Sequence, residues 1–251
     1  MDAYVYGVTR ASASSRSSGA GVDDQPVELV AHRGLAALVS DAPTVPVKAN
    51  RLNLMAHARV LHDVVAERCV LPMQFGVVMP DRGAVRDELL DAAGDGLRAQ
   101  LDSLEPYVEL DVRAVCSEDA LLRAVVAEHP EIGELRARLE GTSPEAGYYE
   151  RIRLGELVAR AVEARRDAIG GRIAHALEPL AAAVEPGDIL HEGMLANAAF
   201  LVRRDSLPEV DAALEAVGSE LGAAIRLHCM GPLAPHNFVD MGAVLGAGAW
   251  A

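Results

Sequence analysis

The segment from Val108 to Cys116 alternates apolar side chains with the charged residues Glu109, Asp111 and Arg113. A period of two is typical of a strand that buries only one of its faces. Such a strand needs partner strands from elsewhere in the chain, and the segments on both sides of it carry apolar residues at the helical intervals of three and four. The chain is therefore predicted to combine sheets and covering helices in an α+β fold.

Three strands are predicted near the N-terminus. Tyr4 to Val8 places large side chains on one face, while Val27 to Ala31 and Leu35 to Val39 flank a short connection that contains Gly34. Two apolar runs around such a connection indicate a β-hairpin. The intervening segment, Ala11 to Asp24, is rich in Ser, Gly and Ala and is predicted to be a mobile loop.

A helix, a strand and a second helix are predicted next. Asn50 is a suitable N-cap for a helix that ends near Arg68. The apolar stripe of this helix is predicted at Leu54, Ala58, Leu61 and Val65. Val70 to Met79 is mostly apolar and is predicted to form one buried strand. The second helix carries apolar residues every four positions, at Leu89, Ala93, Leu97 and Leu101.

The order of these elements contains the β-α-β units of a ferredoxin-like sheet with an extra hairpin. We therefore predict a modified ferredoxin-like α+β domain over residues 1–116. A helical connector is predicted at 117–147, a C-terminal α+β domain at 148–239 and a tail at 240–251. The C-terminal domain is expected to contain a long helix and a small β-β-α-β sheet. Its predicted elements are a helix from Tyr148 to Val184, strands at Ile189 to His191 and Leu195 to Val202, a helix from Leu207 to Leu221 and a strand from Ile225 to Cys229.

Composition excludes several classes of partner. The chain has 23 basic and 37 acidic residues, a formal net charge of −14, and no basic face concentrated enough to offset the repulsion of phosphates. Nucleic-acid binding is therefore not expected. Cys69, Cys116 and Cys229 have no CxxC spacing, so neither a disulfide framework nor a zinc site is indicated and a reducing cytoplasm is expected. No segment approaches the roughly 20 apolar residues of a membrane span.

The sequence contains no arrangement that is typical of catalysis. It has neither a GxSxG elbow nor a GxxxxGK phosphate loop. His57 and His62 are five residues apart, which places them about 140° apart around a helix and not on one metal-binding face. We therefore predict a protein that is not an enzyme and has no cofactor and no metal. The alternative is a ferredoxin-like enzyme or a small-ligand protein that uses His191 for haem or metal, an idea that rests on fold analogy.

Three apolar motifs follow one another along the chain. They read VLPMQFGVV at 70–78, LANAAFLV at 195–202 and GPLAPHNFV at 231–239. In this order they resemble the motifs VLPxRFGTV, LNxAxLV and GPWPPYSFV of the gas vesicle accessory family GvpF/GvpL, with the GvpF type favoured. The opening Tyr4-Val5-Tyr6-Gly7 is similar to the start of that family. The chain departs from the family pattern at Gln74, Leu233, His236 and Asn237.

The resemblance implies a minor gas vesicle component, located in the cytoplasm and on the vesicle. It further implies an assembly factor that binds the hydrophobic shell protein, and other accessory proteins, and prevents shell-protein aggregation during nucleation. The candidate partner-binding residues are Leu71, Phe75, Pro232, Pro235 and Phe238. Core packing is the favoured role of Leu71 and Phe75, with partner contact as the alternative. Phe238 either docks back onto its own domain or presents an interaction surface.

Overall fold

The computed structural model describes residues 1–11, 19–42, 45–240 and 242, and it divides into two compact units. Unit 1 comprises Met1–Leu110, Leu201–Asp205 and Gly231–Ala251, and unit 2 comprises Asp111–Phe200 and Ser206–Met230. Both units are assembled from separated stretches of chain. The boundaries predicted above describe contiguous domains, and they stay a prediction.

The first sheet lies in unit 1 and contains the predicted hairpin. Its strands are β1 (Ala3–Arg10), β2 (Glu28–His32), β3 (Leu35–Asp41), β4 (Val70–Pro72) and β5 (Val78–Met79). The order is β2-β3-β1-β4, and β5 pairs with the start of β1. All of these pairings are antiparallel, and His32 lies opposite Leu35 at the hairpin end. Strand β1 is therefore central, which explains why it is buried almost throughout.

The segment predicted as one strand from Val70 to Met79 is two short strands. Gly76 has a φ of +96°, a conformation that glycine adopts at little cost and that ends the extended run after β4. The backbone N–H of Met73 still donates to the Tyr6 carbonyl, with an N···O distance of 2.8 Å. The prediction of a single strand was wrong because it ignored this glycine.

Helix α1 (Arg51–Val65) begins where predicted, with the Asn50 side chain accepting the Asn53 N–H at 2.9 Å. Its buried side chains are Asn53, His57, Val60, Leu61 and Val65. The predicted positions Leu54 and Ala58 are exposed, so the stripe is rotated from the one expected. The reason is that two polar residues take buried positions and find hydrogen-bond partners there.

The remaining helical elements of unit 1 follow β5. They are the short helix α2 (Arg82–Ala84), a π-helical segment at Val85–Asp91 and α3 (Gly94–Leu104). A turn before Gly94 separates the last two, so the second predicted helix is interrupted. A short 3-10 helix at Val22–Asp24 lies within the predicted mobile loop, whose residues 12–18 are outside the described part of the chain.

The second sheet has the order β7-β8-β6-β9. Its strands are β6 (Tyr107–Val115), β7 (Ala181–Pro186), β8 (Met194–Arg203) and β9 (Arg226–Leu233). Strand β6 confirms the prediction made from the alternation at 108–116. The limits of the two units fall within β6, β8 and β9.

Unit 2 contains the helices α4 (Glu118–Glu128), α5 (Pro130–Leu139), α6 (Tyr148–Leu177) and α7 (Leu207–Leu221). Helix α6 stops at Leu177, not at Val184, because Pro179 follows at once and cannot continue the hydrogen-bond ladder. The residues after Pro179 pair instead with β8 as strand β7. The strand predicted at Ile189 to His191 does not form.

The α+β class is confirmed, with two antiparallel sheets and covering helices. The ferredoxin-like arrangement of the first sheet stays a prediction. Among the residues that the structure describes, no helix combines the length and the apolar content needed to cross a bilayer.

Candidate functional site

An aromatic cluster forms the centre of the unit 1 core. Tyr4 and Tyr6 are two residues apart on β1, so their side chains share one face of the sheet, and their ring centroids are 4.8 Å apart. The imidazole of His57 on α1 stacks on Tyr6 at 5.4 Å, and the Phe75 ring meets the imidazole edge-on at 5.8 Å. Three separated segments of the chain therefore meet through aromatic contacts.

A chain of hydrogen bonds orients this cluster. The Tyr4 hydroxyl accepts the Gly76 N–H at 3.1 Å and lies 2.8 Å from Nδ1 of His57. The tautomer of the imidazole sets the direction of this second bond: the Tyr4 O–H donates when Nδ1 is unprotonated, and Nδ1–H donates when it is protonated. Nε2 is buried and has no well-aligned hydrogen-bond partner among the described residues.

The second tyrosine is held by the loop before the hairpin. The Tyr6 hydroxyl accepts the Val22 N–H at 2.7 Å and lies 3.0 Å from Oγ of Ser40. Gly21 permits this approach, since a side chain at that position would overlap the Tyr6 hydroxyl. The close contact ties the loop to the core.

Burial keeps the cluster neutral. It lowers the pKa of His57 to about 4, helped by the nearby His236 and opposed by the Met73 backbone. Burial also raises the pKa of Tyr4 and of Tyr6 above the ordinary tyrosine value. At neutral pH these groups are therefore uncharged, and the contacts that the cluster makes are packing and hydrogen bonds between separated chain segments.

The first motif contributes both buried and partly exposed residues. Leu71 on β4 is fully buried, whereas Phe75 is half-buried between the exposed residues Gln74 and Gly76. Leu71 therefore occupies the position expected of a core residue. Phe75 closes the aromatic cluster with one side of its ring and reaches the surface with the other.

The third motif returns to unit 1 and docks there. Pro235 is buried, Pro232 and Phe238 are half-buried, and Ala234 belongs to the core cluster around the tyrosines. Turn hydrogen bonds from the His236 N–H to the Ala234 carbonyl and from the Phe238 N–H to the Pro235 carbonyl shape the segment.

A buried carboxylate holds this docked segment. Glu109 on β6 is 1% exposed, and its two oxygens accept the backbone N–H and the side-chain amide of Asn237, each at 2.8 Å. Together with Pro235 and Ala234, this clamp shows how the motif is fixed, although partner contact by the five predicted residues stays a prediction.

Other chemistry-bearing side chains do not converge. In the part of the chain that the structure describes, no three His, Cys, Asp or Glu side chains lie close enough to hold a metal ion. His191 is exposed. Burial raises the pKa of the Cys69 thiol to about 11, which keeps it protonated and unreactive.

Sequence reasoning missed three residues that shape this site. His57 was considered as a metal ligand and as part of the family's helix before the first motif, Glu109 as the exposed side of a strand, and Asn237 as a departure from the family pattern. The one local signal was the position of His57 three and four residues before Val60 and Leu61, which places it on the buried face of α1.

Comparison with known proteins agrees with this architecture. The family model for gas vesicle synthesis protein GvpL/GvpF matches residues 2–240. Gas vesicle protein F of Streptomyces sp. (strain CB03234) is 38% identical over 245 residues, which cover 96% of this chain and 100% of that protein. The crystal structure of GvpF from Anabaena sp. PCC7120 has a TM-score of 0.81 at 26% identity, covering 95% of this chain and 98% of that one. The chain therefore belongs to the gas vesicle GvpL/GvpF family.

Proposed function

We propose that this protein is a minor gas vesicle component and an assembly factor that binds the hydrophobic shell protein and prevents its aggregation during nucleation. The observation that carries the proposal is the family match over residues 2–240, which spans both units. The protein acts in this proposal by binding, not by catalysis. The neutral, tightly packed cluster of unit 1 is consistent with such a role.

The physical basis is a charged protein that also presents apolar side chains. The net charge of −14 keeps the chain and any bound complex soluble through mutual repulsion. Phe75 and Phe238 are half-buried, so each offers part of an aromatic ring to a partner while the rest remains packed. Such a surface can cover apolar segments of a shell subunit that would otherwise associate with one another.

Co-expression with the shell protein tests the proposal. We expect the purified protein to bind the shell protein and to raise its soluble fraction, and we expect deletion of the gene to impair vesicle formation. Normal vesicles after deletion, together with no binding and no change in aggregation, would overturn the assignment.

Two variants separate binding from folding. Phe238→Ala removes a half-buried ring, and Leu71→Ala removes a fully buried side chain. If Phe238 meets the shell protein, its variant loses binding while thermal stability stays near that of the wild type. If Phe238 only locks the docked segment, stability and binding fall together, as they do in the Leu71→Ala control.

A further inference from the structure

Helix α1 presents an outer face on which apolar side chains are exposed. Leu52 is 79% exposed and Met55 is 51% exposed, and their spacing of three residues places them side by side. Arg51 and Arg59 are also exposed and flank this apolar pair along the helix. Eight residues separate the two arginines, or about 12 Å of helix axis.

The inner face of α1 fixes which residues point outward. The buried side chain of Asn53 donates to a carboxylate oxygen of Asp23 at 2.9 Å and to the Lys48 carbonyl at 3.1 Å. One turn later, His57 is held by the Tyr4 hydroxyl. Because rolling the helix would break these buried hydrogen bonds, Leu52 and Met55 cannot turn inward to escape water.

The local charge of this face is opposite to that of the whole protein. The chain carries 37 acidic residues, yet none lies between residues 42 and 62, where Lys48, Arg51 and Arg59 supply three positive charges. The next acidic residue, Asp63, lies one turn beyond Arg59 at the end of the face, so the cations still outnumber it. None of these three side chains forms an ion pair with any residue that the structure describes. The cations therefore remain available to an outside partner.

We propose that the outer face of α1 docks an acidic amphipathic helix of a partner protein. An apolar stripe on that helix would cover Leu52 and Met55, and its flanking carboxylates would pair with Arg51 and Arg59. The site goes beyond the proposed function, because its chemistry does not require the partner to be the shell protein.

Charge favours a protein helix over a lipid surface. Binding to anionic membranes through basic residues typically uses about four to eight cations, whereas this face has two and Lys48, just before the helix, adds a third. The net charge of −14 would also repel an anionic bilayer as a whole. A single acidic helix is small enough to meet only the basic face.

A labelled model helix provides the direct test on the full-length protein. The probe is a fluorescent peptide of about 18 residues, long enough to be helical, with leucines on one face and glutamates beside them. A second peptide carries lysines in place of the glutamates. We expect fluorescence anisotropy to show binding of the acidic peptide that weakens with added salt, and no comparable binding of the lysine peptide.

Variants on the outer face assign the binding to α1. Arg51→Glu combined with Arg59→Glu is expected to lower the affinity for the acidic peptide at least about tenfold. Leu52→Ser combined with Met55→Ser is expected to lower it by a similar factor. The matched controls are Arg153→Glu and Leu190→Ser, exposed positions in unit 2 that are expected to leave affinity unchanged. Circular dichroism checks that each variant is folded, and Arg51→Gln with Arg59→Gln provides a milder substitution.

Four results would overturn the proposal. The first is no binding of the acidic peptide at millimolar concentration, and the second is an equal loss of affinity in the unit 2 controls. The third is binding to phosphatidylglycerol vesicles that depends on Arg51 and Arg59 in the absence of peptide binding. The fourth is a protein that light scattering shows to be a dimer and that becomes a monomer in the arginine variants, which would assign the face to a second copy of the chain.

Discussion

The two units differ in what their interiors contain. The buried residues of unit 1 include the polar side chains of Thr9, Ser40, Asn53, His57 and Glu109. Unit 2, all of whose residues are described, buries no polar or charged side chain and places its arginine and carboxylate pairs at the surface. Unit 1 therefore depends on the direction of individual hydrogen bonds, whereas unit 2 depends on the fit of apolar volumes.

This difference explains how unit 1 can join distant parts of the chain. Thr9 donates to the Cys69 carbonyl at 2.7 Å, and Tyr4 connects His57 with Gly76. Each contact specifies one arrangement of segments, because a buried polar group without its partner costs about 1–3 kcal/mol. Apolar contacts alone would allow more alternatives of similar energy.

Loss of a buried apolar side chain should lower the free energy of unfolding by the same amount in both units, and this is the largest effect that we expect. Leu71→Ala in unit 1 and Ile173→Ala in unit 2 each remove a buried aliphatic side chain, at about 2–5 kcal/mol of unfolding free energy. Urea denaturation, with hydrogen exchange to follow each unit, measures the loss. Leu71→Met should cost less than about 1.5 kcal/mol. A small cost for Leu71→Ala alone would mean that polar contacts dominate unit 1.

Removing the buried carboxylate should affect unit 1 selectively. Glu109→Ala takes the acceptor away from both Asn237 donors, and we expect a loss of about 1.5–3 kcal/mol. Exchange of the Asn237 amide hydrogen should rise in parallel. The exposed Glu156→Ala on α6 is the control and should change stability by about 0.5 kcal/mol or less. Unchanged exchange at Asn237 would show that Pro235 and Ala234 hold the docked segment without the carboxylate.

Acid should weaken unit 1 through His57. The pKa of this group falls from 6.5 to about 4 on folding, so the unfolded chain binds the extra proton first as the pH drops. Stability is complete above pH 6.5 and is lost as the pH falls toward 4, by about 2 kcal/mol between pH 7 and pH 5.

The control for this pH dependence is His57→Leu, which removes the titrating group. Urea denaturation at both pH values should show a smaller acid effect in this variant than in the wild type. An identical pH dependence would assign the loss of stability in acid to carboxylates elsewhere in the chain, and His57 would then not account for a difference between the units.

Local sequence patterns could predict the helices and strands but not the buried hydrogen bonds that join distant residues. The N-cap at Asn50, the hairpin and strand β6 are confirmed, because each depends on residues close together in sequence. The Tyr4–His57 and Glu109–Asn237 contacts join residues 53 and 128 positions apart, and no local period carries that information.

Two of the wrong predictions, the end of α6 and the buried stripe of α1, have the same origin. Ala181 to Val184 has good helical composition, yet Pro179 ends α6 and pairing with β8 makes the segment a strand. On α1 the apolar period pointed to Leu54, whereas the buried polar contacts of Asn53 and His57 rotate the helix away from that stripe. In both places a tertiary contact outweighs a local preference.

The smallest effect should come from the surface ion pairs of unit 2. Arg165 on α6 pairs with Glu128 on α4, and the Glu128 side chain is 52% exposed. Water can reach the group that remains when its partner is removed, so Arg165→Ala should cost about 1 kcal/mol or less, and Glu128→Gln should cost about the same. A double-mutant cycle measures their coupling. A coupling energy as large as the Glu109→Ala effect would mean that unit 2 also depends on specific polar contacts, located at its surface instead of its core.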